Sequence, residues 1–554
     1  MIPEQRPGSP VRAGRRVAAA ALALVLSAGV VIADDSVSVP VASKARKPVP
    51  IPQGDKIELT LQKTIEMTLQ NVLDLDVAAY TVEESHFGIL AARGAFDPTF
   101  ELDLGLKDTQ SPRSSIYQSS EVKTAYGNPY LTGLLPYGTT YTLGWTNTRN
   151  DVTGAGTLLN PTYSSNLSLG VTQPLLRNFG RTVNERLVIQ ARLGDNQNAY
   201  GYVIAVQTAI QTAENAYWDL VYAVENLKAK QEALDRAKDL NRITKIKIDV
   251  GALAPIDIVQ TEVTIAQREQ DIIIAEGLIG DAQDRLRRLL NVQSVPDWNR
   301  PIVPTDRPTR ESLRSGYVAD VNQGYDTALK TRPEIKQSLL NIESKKVTAS
   351  YQKNQLLPRL DLSAGYGRAG LGANGLGVDA DGNPYDLSYS SALTQITHGD
   401  YPAWSVGVVF AVPIGNRVAR GNSAIANADL DLARTNLAIT KANLQVEVRA
   451  AARNIDTAYR SVQAASKARE LAERNLDAEK KKYENGMTTS FQVAQIQNDL
   501  TTARTTELQA VAGYLKSLVA WHKAIGDLLS QKNVVLSGLS VSLDATPAEE
   551  GAVK

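Results

Sequence analysis

Two similar stretches stand in the two halves of this chain, Ile246-Lys247-Ile248-Asp249-Val250-Gly251-Ala252-Leu253 and Lys481-Lys482-Tyr483-Glu484-Asn485-Gly486-Met487-Thr488. In each stretch a long polar helical pattern reverses at a glycine and continues as a second helical pattern. Glycine suits such a reversal because it takes a positive φ at little cost. Each helical pair also follows two short alternating segments next to a proline. The chain therefore carries an internal repeat that joins strands to very long helices.

The composition excludes several classes of protein. Lys and Arg number 59, as do Asp and Glu, so the balanced charge indicates no nucleic-acid partner. The chain has no cysteine, which excludes disulfides, thiolate metal sites and lipid attachment to an N-terminal cysteine. His86, His398 and His522 are far apart in sequence, and no nucleophile stands with a base. The sequence therefore predicts no metal, no cofactor and no enzymatic activity.

The N-terminus has the order of a cleaved secretory signal. A basic stretch precedes an apolar run from Val17 to Ala28, and Val31-Ile32-Ala33 follows. That run is short for a transmembrane anchor, which needs about 20 residues. We predict a signal peptide over residues 1–33 and a proline-rich linker over 34–58. The remaining domains are predicted as a first repeat, a second repeat and a tail, over 59–324, 325–535 and 536–554.

Four segments alternate apolar and polar residues, which is the period of a β-strand. They cover about residues 98–108, 163–173, 358–367 and 403–413. Each has about the ten residues that a tilted membrane-crossing strand requires. No segment after the signal has 18 consecutive apolar residues, so a membrane crossing would have to use strands. A further alternating stretch, residues 137–149, leaves open whether one more strand is present.

Aromatic residues flank these segments. They are Phe100, Trp145, Tyr401 and Trp404. Such residues are typical of the membrane–water interface of outer-membrane proteins. The alternative is ordinary packing within a sheet.

The predicted helices have matching lengths in the two halves. One long helix in each half, over residues 181–248 or 416–484, would extend about 100 Å at 1.5 Å per residue. Two shorter helices of each half, stacked end to end, would have nearly the same length. These shorter helices are predicted over residues 59–95, 256–291, 325–356 and 490–530.

The strand count predicts an oligomer. Outer-membrane barrels begin at about eight strands, and an open edge in lipid leaves backbone groups unpaired at several kcal/mol each. Two copies would give about eight strands, a barrel filled by its own side chains. We therefore predict an internally duplicated α+β membrane protein with long antiparallel coiled-coil helices and four transmembrane strands per protomer. Three protomers would close a barrel of about 12 strands.

The order of several short motifs resembles the TolC-type outer-membrane efflux and secretion factor family. The motifs are Leu59-Thr60-Leu61, Phe96-Asp97-Pro98, Gln173-Pro174-Leu175-Leu176, Arg332-Pro333-Glu334-Ile335, Leu357-Pro358, Val412-Pro413-Ile414-Gly415-Asn416-Arg417 and the tip segments Val250 to Gln260 and Tyr483 to Gln495. The resemblance implies a homotrimer of a Gram-negative type cell. Its β-barrel would lie in the outer membrane in contact with lipid, and its helices would form an α-helical barrel in the periplasm. It further implies a channel of a tripartite efflux or type I secretion system. Such a channel docks with a periplasmic adaptor and an inner-membrane pump.

The resemblance also assigns roles at the tips. Gly251, Leu253, Gly486 and Met487 are expected to dock on the helical hairpin of the adaptor. Asp257 and Tyr483 match an acid and a tyrosine whose hydrogen bond holds the entrance shut. The alternative is a solvated aspartate beside a packed tyrosine.

Three gate positions depart from the better-known members of that family. Thr488 stands where some members have Arg, and Gln492 and Gln495 stand where some carry a ring of acids. A ring of Gln has no fixed charge, so we expect no strong cation binding there and weaker selectivity.

Other functions fit the sequence less well. A surface-exposed structural or adhesive coiled-coil protein would show sustained heptads and give no reason for matched helix lengths. A periplasmic adaptor would have one helical hairpin without duplication. A secreted enzyme would need a catalytic site, for which the sequence offers no candidate. Gly365-Tyr366-Gly367-Arg368-Ala369-Gly370 fits the G-x-G-x-x-G pattern, but a glycine-rich stretch rather than a helix follows it. We therefore predict no nucleotide site.

Overall fold

The computed structural model describes residues 50–534 and 536, apart from 116–117, 155–158, 308–318, 375 and 379–383. All of these belong to one unit, Val41–Lys554. The predicted signal peptide, most of the predicted linker and residues 537–554 of the predicted tail lie outside the described residues. The elements are, in chain order, β1 (Ile57–Leu59), α1 (Leu61–Asn71), α2 (Leu73–Arg93), β2 (Thr99–Gln110), β3 (Glu121–Leu134), β4 (Thr140–Thr153), β5 (Thr162–Pro174), α3 (Arg181–Asn184), α4 (Arg186–Asp249), α5 (Asp257–Leu289), α6 (Val295–Trp298), β6 (Ile302–Pro304), α7 (Val321–Thr331), α8 (Pro333–Asn354), β7 (Arg359–Ala373), β8 (Leu376–Val378), β9 (Pro384–Asp386), α9 (Tyr389–His398), β10 (Pro402–Ala411), α10 (Arg417–Glu484), α11 (Ser490–Ile525) and α12 (Leu528–Gln531).

Both predicted reversals are present, each with its glycine in the left-handed region. Gly251, between α4 and α5, has φ +78°, and Gly486, between α10 and α11, has φ +75°. A Cβ added to either glycine would meet no atom within 4 Å. The positive φ, rather than crowding, therefore explains why glycine stands at each tip.

Each long helix packs against a series of shorter ones. Helix α4 contacts α1, α2 and α5, whereas α10 contacts α7, α8 and α11. The long helices have 64 and 68 residues, or about 96 and 102 Å at 1.5 Å per residue. The halves also touch, because α4 packs against α8 and α11. This is the predicted arrangement of one long helix facing stacked shorter ones. Among the described helices, none has both the length and the apolar character that a membrane crossing requires.

Three of the predicted short helices are interrupted. The helix predicted over residues 490–530 ends at Ile525 and is followed by α12, and two others are each broken in two. The first is divided at Val72 (φ −68°, ψ 126°) and the second at Arg332 (φ −66°, ψ 124°). Pro333 explains the second break, because its ring disfavours the helical conformation of the preceding residue. Val72 takes the same extended conformation without a following proline.

A small parallel sheet fastens the N-terminal segment to α4. Strand β1 pairs with β6 from Ile57↔Ile302 to Leu59↔Pro304. The hydroxyl of Tyr217 on α4 lies 3.1 Å from the Leu59 carbonyl oxygen and accepts a hydrogen bond from the Asp306 amide, also at 3.1 Å. Burial raises the pKa of Tyr217 to about 12, so its hydroxyl stays protonated at neutral pH. Tyr217 therefore satisfies the polar backbone of the small sheet from within the helical layer.

Replacing Tyr217 by Phe should loosen this small sheet and leave the helices in place. The change leaves the Asp306 amide without its partner and removes one contact of the Leu59 carbonyl oxygen, which costs about 1–2 kcal/mol. We expect the amides of Ile57 and Thr305, which bond Pro301 and Leu59 across the sheet, to exchange hydrogen about 5- to 30-fold faster. Tyr80→Phe, on an exposed side chain, is the matched control and should change nothing. Equal exchange rates in the two variants would contradict the role of the Tyr217 hydroxyl.

The main sheet has six strands, in the order β10–β7–β5–β4–β3–β2, and all neighbours are antiparallel. The four predicted strands correspond to β2, β5, β7 and β10, and the sheet contains two more, β3 and β4. The number of strands that cross the membrane stays a prediction. Residues 137–149, for which the sequence left open whether a further strand is present, lie largely in strand β4. Strand β3 was not predicted, because one of its faces consists mainly of Ala125, Gly127 and Pro129. That face gives no clear alternation, and proline argues against a strand interior.

Over the part nearer the helices, one face of this sheet is apolar across all six strands, whereas the same face carries Lys123, Arg149, Asp151 and Arg368 towards its other end. The residues Phe100, Leu131, Leu143, Leu169, Tyr366 and Trp404 pair in turn across the sheet. The neighbouring row on the other face is Glu101, Tyr130, Gly144, Ser168, Gly367 and Ala403. Successive side chains of a strand point to opposite faces. The sheet therefore has one apolar face and one face of small and mostly polar residues.

Three of the four predicted interface aromatics share the apolar face. Phe100 and Trp404 lie at the two edges of the sheet and are 67% and 79% exposed. Trp145 lies two residues from Leu143 on the same face, and its indole N–H donates to Ser165 Oγ at 2.9 Å. Tyr401 immediately precedes β10 and is exposed. Their role at a membrane interface stays a prediction.

The glycine-rich motif of β7 serves helix packing. A Cβ added to Gly370 or Gly372 would clash with the carbonyl oxygens of Ala392 or Ser388. These carbonyls belong to α9 and to the residue before it, so α9 lies directly on the strand backbone. Arg368, on the same strand, donates to the Ile396 carbonyl oxygen at 3.1 Å. The motif is part of a strand, and its last glycine gives α9 room to approach.

Candidate gate at the helical tips

The two tips contact each other through Tyr483, near the end of α10. Its side chain is 3% exposed and belongs to a buried cluster, here called the tip cluster, made of Leu240, Leu476, Tyr483, Val493, Ala494, Ile496 and Leu500. The Tyr483 hydroxyl lies 2.8 Å from the hydroxyl of Thr244 on α4. Tyr483 therefore connects the ends of the two long helices within one protomer.

Lys247, one turn beyond Thr244 on α4, makes the second connection. Its ammonium donates to the Tyr483 carbonyl oxygen, and it lies 3.4 Å from the Glu484 carbonyl oxygen. The same ammonium is 4.2 Å from the centroid of the Tyr483 ring. The last carbonyls of a helix have no partner within the helix, and a cation is favoured there. Lys247 thus caps α10 from the neighbouring helix and adds a cation–π contact.

Asp257 is the first residue of α5 and is partly buried. Among the described hydrogen bonds, none joins it to Tyr483, whose hydroxyl faces Thr244 instead. Burial is the main cause of the raised pKa of Tyr483, the Thr244 hydrogen bond lowers this pKa, and the negative charge of Asp257 raises it further. Asp257 therefore acts on Tyr483 through its charge in this structure.

Thr488 fastens the second tip internally. Its side chain lies beside Glu479 on α10, to whose carboxylate the Lys482 ammonium donates at 3.1 Å. These two contacts, Thr488 first, hold the pKa of Glu479 below its usual value. Thr488 thus lies next to α10 on the far side of the reversal at Gly486.

The predicted docking residues divide into two groups. Gly251, Gly486 and Met487 are exposed, and Met487 is 69% exposed. Leu253 is partly buried and packs against the tip cluster. Of the predicted docking residues, the two glycines and Met487 are therefore the ones open to a partner.

Gln492 and Gln495 are both exposed on the first turns of α11. The Gln495 amide lies 3.3 Å from Asp499 Oδ1. Within the described ranges, no group of three or more His, Asp or Glu side chains could hold a metal ion.

Sequence reasoning missed Thr244 and Lys247 as partners of Tyr483. The spacing of three residues places both side chains on one face of α4, but a single sequence does not show which helix that face meets. The only available signal was that both stand within the last two turns before the reversal.

Comparisons with known proteins agree with this architecture. The family model described as outer membrane efflux protein matches residues 64–292 and 324–527. Nodulation protein T of Rhizobium leguminosarum bv. trifolii is 23% identical over 377 residues, which are 67% of this chain and 74% of that protein.

Among solved structures, the fold is similar to the CmeC outer membrane channel of Campylobacter jejuni, with TM-score 0.60, 17% identity and coverage of 84% of this chain and 86% of that one. It is also similar to the outer membrane protein VceC of Vibrio cholerae, with TM-score 0.59, 15% identity and coverage of 84% and 96%. The family match spans most of the chain, and the chain therefore belongs to the outer membrane efflux protein family.

Proposed function

We propose that this protein is the homotrimeric exit channel of a tripartite efflux or type I secretion system. It is an outer-membrane protein with a periplasmic extension, as its family membership establishes. In the proposed system an inner-membrane pump supplies the energy and a periplasmic adaptor joins it to the channel. The channel itself conducts substrates passively to the exterior.

The single observation that carries this proposal is the pair of contrasting faces on the six-stranded sheet. An apolar face suits contact with outer-membrane lipid, and a polar face suits a water-filled lumen. Among the described strands, neither β2 nor β10 pairs on its outer side. Unpaired backbone groups in lipid cost several kcal/mol each. Pairing of β2 with β10 of the next copy removes that cost and closes the wall of a trimer.

The tips are the proposed gate. In the closed state the Thr244–Tyr483 bond and the Lys247 cap hold the ends of α4 and α10 together. Opening moves the two helical hairpins apart and exchanges these contacts for contacts with the adaptor. The exposed Gly251, Gly486 and Met487 are the proposed docking points. A hydrogen bond between Asp257 and Tyr483 stays a prediction, and a variant described in the Discussion tests it.

The test of the proposed channel is the state of the protein in isolated membranes. We expect outer-membrane fractions to contain a trimer that migrates as one species on a gel without boiling and as a monomer after boiling. A purified trimer should form ion-conducting channels in planar bilayers. A monomer found in the soluble periplasm, or a surface protein without conductance, would contradict the proposal and favour the structural or adhesive alternative.

A further inference from the structure

The hairpin of β3 and β4 lies between the two outermost strands of the first half. We infer that it forms part of the channel wall, so that a closed trimer has about 18 strands instead of about 12 and admits bulkier hydrated substrates. This inference rests on the proposed trimeric channel and deepens it. Three features of the sheet carry it.

The first feature is the pairing of the strands. Strand β3 pairs with the whole length of β2, from Thr99↔Thr132 to Gln110↔Glu121. Strand β4 pairs with β5 from Thr140↔Thr172 to Asn150↔Thr162. The hairpin therefore separates β2 from β5 by about 14 Å, given a spacing of about 4.8 Å between neighbouring strands.

The second feature is the place where the hairpin turns. The turn closes with the Leu135 amide donating to the Thr139 carbonyl oxygen at 2.8 Å. The Tyr137 carbonyl oxygen accepts a bond from Gly180 at 3.3 Å, directly before helix α3. A Cβ added to Gly138, which has φ +91°, would clash with the Asn178 carbonyl oxygen. The turn therefore lies at the helical end of the sheet, so β3 and β4 extend along its full height.

The third feature is that the hairpin shares both faces of the sheet. Leu131 and Leu143 continue the apolar row between Phe100 and Leu169. On the other face the ring of Tyr126 covers Gly105, where an added Cβ would clash with it. The ring of Tyr130 covers Gly144 in the same way. Aromatic side chains over glycines of neighbouring strands fix the register of a sheet. A hairpin outside the wall would have no reason to reproduce both faces.

The dimensions are consistent with this wall. Strands 4.8 Å apart and tilted by about 40° close a cylinder of radius about 12 Å with 12 strands and about 18 Å with 18 strands. In a trimer, each protomer would supply its two long helices and two columns of stacked shorter ones, which makes a ring of about 12 helices. With a spacing of about 9–10 Å between helices, that ring has a radius of about 18 Å. The larger sheet therefore continues the helical conduit at nearly constant width. Its inner face, with Ser168, Tyr130 and Gly367, suits hydrated rather than lipid-like substrates.

Cysteine cross-linking in this cysteine-free chain tests the order of the strands. Leu106 and Ala125 are direct partners on β2 and β3, so the Leu106→Cys/Ala125→Cys variant should form a disulfide within one protomer. Leu106→Cys combined with Cys at Tyr163, Ser165 or Leu167 on β5 should form none. A disulfide between β2 and β5 would overturn the inference while leaving the trimer intact.

The same approach separates this inference from the proposed function. Leu104→Cys combined in turn with Cys at Val406, Val408 or Phe410 on β10 should yield chains linked to one another. Absence of linked chains for every pair would count against the trimer itself. Linked chains together with a β2–β5 disulfide would count against the wider wall alone.

The width of the lumen is tested from the outside, where the closed tips play no part. A Ser168→Cys variant on the inner face is labelled with maleimide–polyethylene glycol of increasing size. The matched variant also lacks residues 111–161, so that β2 joins β5 directly at the same end of the sheet. We expect the largest admitted polymer to be about 1.5-fold smaller in radius in the shortened protein, in proportion to the two cylinders. Equal limits in the two proteins, with equal labelling by a small maleimide, would overturn the inference.

Discussion

Single trimers should open far more often when the side chains that join α4 to α10 are shortened. In the Lys247→Ala/Tyr483→Phe variant the Thr244 hydroxyl loses its partner and the end of α10 loses its cap. A neutral hydrogen bond contributes about 1 kcal/mol and one from a charged group about 1.5–3 kcal/mol. Part of that free energy returns as new contacts with water. We expect the open fraction in planar bilayers to rise about 10- to 100-fold, since about 1.4 kcal/mol corresponds to a factor of ten.

Two matched variants serve as controls for this prediction. Lys245→Ala removes an exposed lysine from the same turn of α4 and should leave the open fraction unchanged. Asp257→Asn removes the charge that acts on Tyr483 but keeps the Thr244 bond, so we expect at most a small change. A large rise with Asp257→Asn would favour the Asp257–Tyr483 bond as the lock. No rise with the double variant would refute a lock at Tyr483.

The largest loss of stability should follow the replacement of Arg332 by Met. The guanidinium lies between α7 and α8 with its side chain 8% exposed. It donates to Glu334 at 2.8 and 3.0 Å, to Glu447 at 3.0 and 3.1 Å, and to the Lys523 carbonyl oxygen at 3.0 Å. Arg332 thereby connects the start of α8, the middle of α10 and the end of α11. Removing one partner of a buried ion pair costs about 3–5 kcal/mol. Both glutamates are partly exposed, so we expect about 3 kcal/mol.

The measurement is the urea midpoint of the helical circular dichroism of the purified trimer. Arg332→Lys keeps the charge but lacks the planar fork that reaches both carboxylates, so it should fall between wild type and Arg332→Met. Arg434→Met removes an ion pair to Asp431 whose side chains are 57% and 71% exposed. It should cost less than about 1 kcal/mol. Equal midpoints for Arg332→Met and Arg434→Met would contradict a structural role for the buried guanidinium.

The helical part of the fold was accessible to sequence reasoning because its signals are local. The glycines at 251 and 486 mark the reversals, and the period of the long helices persists over many turns. The breaks at Val72 and Arg332 each involve a single residue and interrupt an otherwise continuous pattern. Only the break at Arg332 is followed by a proline, which indicates it in the sequence.

The sheet and the gate were less accessible because their signals lie between segments. Strand β3 faces lipid in our proposal with Ala125, Gly127 and Pro129, which resemble a loop when read alone. Their partners on β2, such as Leu106 and Leu104, supply the apolar character of that face. Similarly, Tyr483 was predicted to be a gate residue, and its hydrogen-bond partner depends on how α4 packs beside α10. The sequence carries no measure of that packing, so Asp257 was the expected partner and Thr244 was missed.

The antiparallel relation of β2 and β5 has a consequence for how such channels diverge. Strand β2 ends, and strand β5 begins, at the side of the sheet that faces away from the helices. Any number of complete hairpins can therefore be inserted between them without changing the order of the helices. Each inserted hairpin, like that of β3 and β4, would enlarge the circumference of the mouth in a discrete step. The length of the conduit and its docking tips would not change. Mouth size and partner choice could therefore evolve, or be engineered, as independent traits.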